Sequence, residues 1–493
     1  MKKWSQLLRR YFILIGLLAN LAIFVGFGFL WLKLSSLGLS LPLFSEKVRD
    51  NLTINQPNLL SVVSPLLSAM QYLEVKSYYF RQLEPDKWTG VGAQKSIAIP
   101  NEKITSVFDV SELISALKTA SAGQTILLAP GSYFIDKPSV NIGHSGMEGR
   151  PIRVVAEQLG TVKIFLRGEG FVINKPYWQF NNLHLLGNCK KHTSCEHAFH
   201  VVGRGQHVLI ENNIIQDFNA MIKINGIGHH FPDYGEVMQN TIFNTSPRNT
   251  SNPVTPIDLM HANNWRVAEN FIFDIQKSAG DKVSYAAFFK GGSQNGIFEK
   301  NLIICAANLP DIHTSIGLSL GGGGSLIDHR RDKNTAEHEN GIIRNNLIMH
   351  CANDVGIYLN RAANSQIYNN TLYNTLGIDV RFQETTASIH NNVISGRIKK
   401  RDQGDFSQQD NLIVQRGFFT GSENLKEYFT SPDIGDFSWQ QDFEFENSHF
   451  SSDFVGSDFC GNTAKLNYVG AYSGTNFCLD KVSLEPRAVR GSF

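Results

Sequence analysis

The sequence predicts an all-β solenoid of short parallel coils behind one N-terminal membrane-spanning helix. Three observations point there: a recurring asparagine that opens a short apolar stretch, a composition rich in glycine and phenylalanine, and one unbroken apolar run near the start.

The asparagines are Asn182, Asn213, Asn240, Asn270, Asn301, Asn346, Asn370, Asn392 and Asn411. They recur every roughly 19 to 31 residues, with one wider gap before Asn346, which is the length of a single solenoid coil. Each such unit leaves an apolar face open until the next coil stacks on it. Asparagine suits a coil corner because it tolerates left-handed backbone angles and its amide can bond the same amide one coil away. As turn formers these residues report the fold and not the chemistry. The 42 glycines and 33 phenylalanines fit short strands with tight corners and internal aromatic stacks, and not a helical bundle. A formal charge of +1 argues against a nucleic-acid partner.

The apolar run Tyr11 to Leu32 is long enough to cross a bilayer, and Lys2, Lys3, Arg9 and Arg10 precede it. The positive-inside tendency then keeps residues 1–10 cytoplasmic and sends everything after the 11–33 anchor to the periplasmic, extracellular or lumenal side. A cleaved signal peptide competes, but the run exceeds a usual signal core and no small-x-small site follows at once. In that compartment disulfides persist. Cys189 with Cys195 and Cys460 with Cys478 are close enough to close small loops, and Cys305 and Cys351 follow the Asn301 and Asn346 corners; spacing leaves bridges or buried thiols open for these last two.

Residues 34–105 read as a juxtamembrane stalk with some helix, interrupted by Pro42, Pro57, Pro65, Pro85 and Pro100. Asp109-Val-Ser-Glu112 reads as a capping box, followed by Leu113, Ile114, Leu117 and Ala120 at helical spacing and by Gly123 as a stop. This cap helix, within 106–123, closes the open end of the coils at 124–420, and 421–493 form the far cap.

From Gln124 a strand, a Pro130-Gly131 turn and Tyr133 begin the coils; Gly146-x-x-Gly149-x-Pro151 follows, and Val469-Gly470-Ala471-Tyr472 lies near the far end. In these passages the chain resembles the right-handed parallel β-helix proteins active on carbohydrates, over most of its length after Asp109. The resemblance implies a right-handed parallel β-helix and an acidic polysaccharide as partner.

Aligning the coils on their asparagines brings one upstream strand of each into register, from Phe199-His-Val-Val to Ile378-Asp-Val-Arg. Alternation points the second and fourth residues outward. One outward column then reads His200, Lys223, Asp258, Phe288, Ser319, Tyr358, Asp379, and the other Val202, Asn225, Met260, Lys290, Gly321, Asn360, Arg381. His261 and Arg361 follow the second column at its rim. Stacked strands lie about 4.8 Å apart, so such a face can grip successive units of a polymer. A solvated face whose charges serve solubility is the alternative.

Phe289-Lys-Gly-Gly-Ser-Gln-Asn295 is similar to the Lys-Ser-x-x-Asn segment of the chondroitinase B and alginate lyase family. The resemblance implies Lys290 as the base that removes the proton beside a uronate carboxylate, with calcium or a cationic side chain neutralising that carboxylate. The chain departs from the family one coil later, where Gly317-Leu-Ser-Leu-Gly-Gly-Gly-Gly324 replaces an Arg-His-Gly segment. No Asn-Gly-x-x-Glu calcium motif is evident, so the metal stays undetermined. Arg330, with His329 and Arg331 in the insertion before Asn346, could fold back to replace the arginine.

Asp258 and His261 beside Lys290 could supply an acid, a metal ligand or a second base; a surface Asp-Lys pair is the plainer outcome. Tyr358 could give a proton to the leaving glycosidic oxygen or stack on a sugar. Lys223, Asn360, Arg361 and Arg381 would bind substrate, the arginines by bidentate contact with carboxylates. The glycine run lacks the Lys-Ser or Lys-Thr of a phosphate cradle and leaves room for a sugar or the inserted loop on the sheet. Arg397-Ile-Lys399 is similar to a triplet of pectin-degrading hydrolases but lacks their paired aspartates. Thr255-Pro-Ile-Asp258 is a distant echo of the Asp-Pro-His-Asp of uronate epimerases. Two functions follow: a lyase or epimerase acting on an acidic uronate polymer, or a non-catalytic glycan-binding or assembly scaffold.

Overall fold

The computed structural model describes residues 2–37, 41–72, 103–309, 313–322, 325–351, 353–414, 423–432 and 435–440, and the short pieces 457–463, 468–472, 474 and 478. These fall into two compact units, the N-terminal helices and the coils, each taken by itself.

In the first unit a helix spans Lys2–Leu37. Its Arg10–Lys33 stretch, 24 residues with a mean hydropathy of 2.4, is long and apolar enough to cross a membrane, a character that a signal sequence shares. Helices Leu41–Asn55 and Pro57–Tyr72 follow where a partly helical stalk is expected, and Arg49 Nη2 donates to Ser68 Oγ between them at 3.1 Å. The remainder of the expected stalk, 73–102, lies outside the described residues.

The second unit is the right-handed parallel β-helix expected from the sequence. Among the described residues its strands form three long parallel sheets of twelve, eleven and ten strands and a short parallel sheet of three. A strand Ile104–Val107 precedes the cap helix Val110–Thr119 and pairs with Thr125–Leu128. The capping box is formed: Glu112 N–H donates to Asp109 Oδ1 at 2.9 Å, and Phe108 N–H to Glu112 Oε2 at 2.8 Å. Leu113 and Leu117, fully buried on that helix, close the core as the amphipathic spacing requires.

The inward residues of the ten-stranded sheet, such as Phe199, Ile222, Ile257, Phe289, Leu318 and Ile357, are buried completely. Each contributes roughly 1.5–3 kcal/mol through the apolar surface it removes from water. Phe289 stacks on Phe298 of the next sheet with centroids 4.0 Å apart. All three disulfides are present, Cys189–Cys195, Cys305–Cys351 and Cys460–Cys478, so the middle pair is a bridge and not two buried thiols.

The asparagine ladder runs unbroken from Asn213 to Asn411. At each step a side-chain Oδ1 accepts from the backbone N–H and the Nδ2 of the asparagine one coil earlier, as Asn301 Oδ1 does from Asn270 at 3.1 and 3.0 Å. Two details differ from expectation. The left-handed residue at each corner is the one before the ladder asparagine: Asn212, Gln239, Glu269, Lys300, Asn345, Asn369, Asn391 and Asp410 all have positive φ. The ladder amide must point inward to reach its neighbours, so the preceding residue makes the turn. Asn182 is accordingly one position out of step; it sits at the left-handed corner, and Leu183 N–H donates to Asn213 Oδ1 in the ladder place.

Of the far cap, a short helix Glu423–Glu427 and an antiparallel pair, Phe429–Ser431 with Asp436–Trp439, are described. The Val469-Gly-Ala-Tyr472 passage reaches back to the coils, where Ala471 N–H donates to Thr371 Oγ1 at 2.9 Å. Most other residues of 421–493 lie outside the described residues.

Candidate functional site

The ten-stranded sheet carries the two expected columns in the expected register. Lys223 pairs with Asp258, Asp258 with Phe288, Phe288 with Ser319, Ser319 with Tyr358 and Tyr358 with Asp379. In the second column Met260 faces Lys290, and Asn360 faces Arg381. The strands that hold them are Ile222–Asn225, Ile257–Met260, Val283–Lys290, Thr314–Leu320, Ile357–Asn360 and Gly377–Arg381.

These outward residues are not an open solvated face. Asp258, Phe288, Ser319 and Tyr358 are 4%, 2%, 0% and 6% exposed. Coils stacked at strand spacing let the longer side chains of one column lie across the other. The Lys290 ammonium rests 4.1 Å from the Phe288 ring centroid, and Lys223 Nζ, 2.7 Å from Asp258 Oδ1, also reaches Met260 Sδ at 3.4 Å.

Lys290 differs from the other cations of the sheet. Among the described residues nothing forms a hydrogen bond or ion pair with its Nζ. Burial holds its pKa below the ordinary lysine value, with Lys223 adding repulsion while Asp258 and Glu337 oppose. Asp258 is paired with Lys223 and not with Lys290, and this carboxylate is buried and not at the surface.

The Tyr358 hydroxyl is approached by two donors. Its hydroxyl oxygen accepts from Asn360 Nδ2 at 3.0 Å and from Arg381 Nη1 at 3.3 Å. Both lone pairs are then used by groups that only donate, and the phenolic proton has no acceptor among the described residues. Asn360 Oδ1 beside it is buried without a partner. Arg361 and Arg381 lie 3.9 and 4.5 Å from the Phe382 centroid. Arg381 also pairs with Asp402, and Arg361 approaches Glu384 at 3.6 Å.

The insertion before Asn346 lies against this sheet at its rim. His261, Gly291, Arg361 and Phe382 each follow an outward strand and share positive φ, so they form a third, left-handed corner column, whereas Gly321, opposite Lys290 in the second column, turns one residue early. The insertion fills the space of the missing side chain at Gly292, where a Cβ would lie 2.7 Å from Arg331 O. A side chain at Gly321 would collide with the Asn360 carbonyl, and one at Gly322 would meet Lys290 Cδ at 3.0 Å. Gly323 and Gly324 lie outside the described residues.

Arg330 does not replace the missing arginine of the sheet. It is 7% exposed and turned into the insertion, donating to Ser325 O at 2.9 Å and to Thr335 O and forming an ion pair with Glu337, which is wholly buried. Glu337 in turn accepts from Gly291 N–H at 2.8 Å and Ser325 Oγ at 2.6 Å. His261 Nε2 lies 2.8 Å from His329 O, and burial, ahead of the opposing bond to that carbonyl, lowers its pKa.

Sequence reasoning left several residues of the face unassigned. Strand Arg397–Arg401 continues the sheet, with Lys399 opposite Asp379 and Arg401 opposite Arg381; its alternation was legible once the coil between Asn392 and Asn411 is aligned. Tyr285, on the Lys290 strand, stands edge-on to Phe288 at 5.5 Å. Among the described residues no cluster of three His, Cys, Asp or Glu side chains could hold a metal. Asp258, the carboxylate nearest in register, is engaged by Lys223.

Fold and face together define a parallel β-helix protein with a lysine on one sheet face. The sequence model of the family described as Chondroitinase B matches residues 107–284, a partial likeness that includes Asp258 and His261 and ends before Lys290. No curated protein matches the chain. Among solved structures it is similar to a PL6 family polysaccharide lyase from Pseudopedobacter saltans, at 14% identity and a TM-score of 0.37, covering 74% of this chain and 98% of that one. An alginate lyase from Paenibacillus sp. aligns at 16% identity and a TM-score of 0.34, over 64% of this chain and 98% of that one. The A-module of a mannuronan C-5 epimerase from Azotobacter vinelandii aligns at 14% identity and a TM-score of 0.38, over 66% and 94%.

Proposed function

We propose that the protein is a membrane-anchored enzyme that cleaves an acidic, uronate-containing polysaccharide by β-elimination, with Lys290 as base and Tyr358 as proton donor. The observation that carries this reading is the unpartnered Lys290 ammonium over the Phe288 ring, with its pKa lowered by burial. A neutral amine there takes the proton from the carbon beside the uronate carboxylate. The electron pair forms the new double bond, the glycosidic carbon–oxygen bond breaks, and Tyr358 protonates the departing oxygen. Arg381, donating to the Tyr358 oxygen, stabilises the phenolate left behind. Lys223, Asn360, Arg361 and Arg381 line the same sheet as contacts for the polymer. Returning a proton to the carbon from its other side, without bond cleavage, would make the same site an epimerase.

The Arg10–Lys33 helix anchors the chain in this reading, with the N-terminus cytoplasmic and the coils on the far side of the membrane. Incubating the full chain with a panel of uronate polymers and following new unsaturated ends tests the proposal. Products that persist unchanged in Lys290→Ala would sink it.

A second reading, a non-catalytic glycan-binding or assembly scaffold, is favoured by one observation. Ser319 and Gly321 occupy the coil where the lyase family carries its arginine. Retained polymer binding with no chemical change in the polymer would support it.

A further inference from the structure

We propose that Arg331 is a positioning residue that fixes His261 with its ring proton on Nε2, and that the accepting Nδ1 so left selects a uronate with a free hydroxyl over one with a sulfate ester. This rests on the reading of the sheet as a polymer-binding site.

The proton's place follows from the partners. His261 Nε2 lies 2.8 Å from the carbonyl of His329, and a carbonyl only accepts, so Nε2 carries the hydrogen. In the neutral ring Nδ1 is then the lone-pair nitrogen. The charged groups acting on the ring come from three elements: Lys223 and Lys290 on neighbouring strands, which disfavour the imidazolium, and Glu337 of the insertion, which favours it; burial is the largest influence and keeps the ring neutral.

His329 O does not hold its place alone. The Arg331 guanidinium donates to both oxygens of Asp233, at 2.7 and 3.1 Å, and to His261 O at 3.1 Å, and lies 4.1 Å from the Phe231 centroid. Its backbone N–H donates to Gly291 O at 2.9 Å. Asp233 is itself fixed by Asn263 N–H at 2.8 Å. One side chain thus ties the insertion to the loop before Tyr234 and to the corner that bears His261. That corner abuts Lys290, whose carbonyl accepts from His261 N–H at 3.1 Å.

A lone pair recognises an O–H donor. A hydroxyl on the bound sugar satisfies it, whereas a sulfate ester offers only acceptors and would meet it with repulsion. The other neutral tautomer, with its hydrogen on Nδ1, would do the reverse, so the tautomer sets the preference.

Two readouts test this in the full chain reconstituted in nanodiscs. The first is the ring-nitrogen spectrum of isotope-labelled histidine at neutral pH, with His261 assigned through His261→Gln. The wild type is expected to show the Nε2–H form, Arg331→Ala a mixture of tautomers, and Arg331→Lys partial recovery. An unchanged tautomer in Arg331→Ala, or an imidazolium in the wild type, would overturn the role given to Arg331. Should Arg331→Ala fold poorly, Asp233→Asn makes the same test with less change in volume. The second readout is binding of oligomannuronate, oligogalacturonate and oligoglucuronate, each with and without O-sulfation. The wild type should favour the unsulfated member of one pair by about tenfold or more, up to the roughly 10⁴–10⁵-fold by which a site built to hydrogen-bond a hydroxyl rejects an analogue lacking it, and Arg331→Ala should lose that preference. Equal binding of both members refutes the selection. Binding of none, with the tautomer result intact, refutes the polymer-site reading and leaves Arg331 as a positioning residue.

Discussion

The Lys290 ammonium stands 4.1 Å from the centre of the Phe288 ring, two residues back on the same strand and on the same outward side. The ring gives the cation a weak electrostatic partner and excludes water, but supplies no anion. The exclusion of water lowers the cost of neutralising the amine, as a base requires, and the ring's weak attraction for the cation opposes it.

Replacing Phe288 with alanine therefore alters the pH dependence of catalysis. With Lys290 as the proposed base, the rate is expected to rise with pH as the amine loses its proton, with the rise in the wild type centred below the ordinary lysine pKa. Phe288→Ala admits water, favours the ammonium and moves the rise to higher pH. A profile of kcat/KM against pH for both proteins checks this.

Tyr358→Phe removes the donated proton and leaves the ring packing in place. A fall in kcat of about 10²–10⁴-fold is expected, the usual contribution of a positioned acid. KM should change little, because the ring still lies in the same column beside Ser319. Steady-state kinetics separate the two quantities.

The inserted segment is held by a buried ion pair, Arg330 with Glu337. Glu337→Gln leaves Arg330 without its counter-charge, and breaking a buried pair costs about 3–5 kcal/mol. The loss should be local to 325–337. Limited proteolysis is expected to cut there first, while the thermal transition of the coils shifts less.

The asparagine ladder predicts a stability effect away from any chemistry. Asn270 donates to Val237 O and Ala268 O at 2.9 and 3.0 Å, and its Oδ1 accepts from Asn240 N–H at 3.0 Å. Asn270→Ala leaves these buried groups unpaired, at about 1–3 kcal/mol each. Urea unfolding should show a loss near the upper end of that range for a single site, larger than for Asn411→Ala at the end of the ladder.

The fold was legible because the ladder requires asparagine at one place in every coil, and sequence spacing records it. The register followed from the same landmark, which is why Lys223, Asp258, Lys290, Tyr358 and Arg381 were found on one sheet. The one-residue displacement at Asn182 was not legible, since Asn182 and Asn213 are equally compatible with a corner until φ is known. Burial of the outward column was hidden for another reason. Alternation tells which way a side chain leaves the strand, but not that Lys290 and the insertion lie over it. The partnership of Arg331 with Asp233 joins residues 98 positions apart through a loop that carries no repeat, so nothing in the spacing announced it.

The central claim is that Lys290 removes a proton from a bound uronate. Its most direct test is the ultraviolet absorbance of unsaturated sugar ends when the full chain is incubated with a panel of uronate polymers, wild type beside Lys290→Ala. The account predicts absorbance rising with one polymer in the wild type and no rise in the variant, with both proteins folded by circular dichroism. Equal rates in the two would contradict it, and so would absence of both unsaturated ends and inverted uronates with every polymer tried.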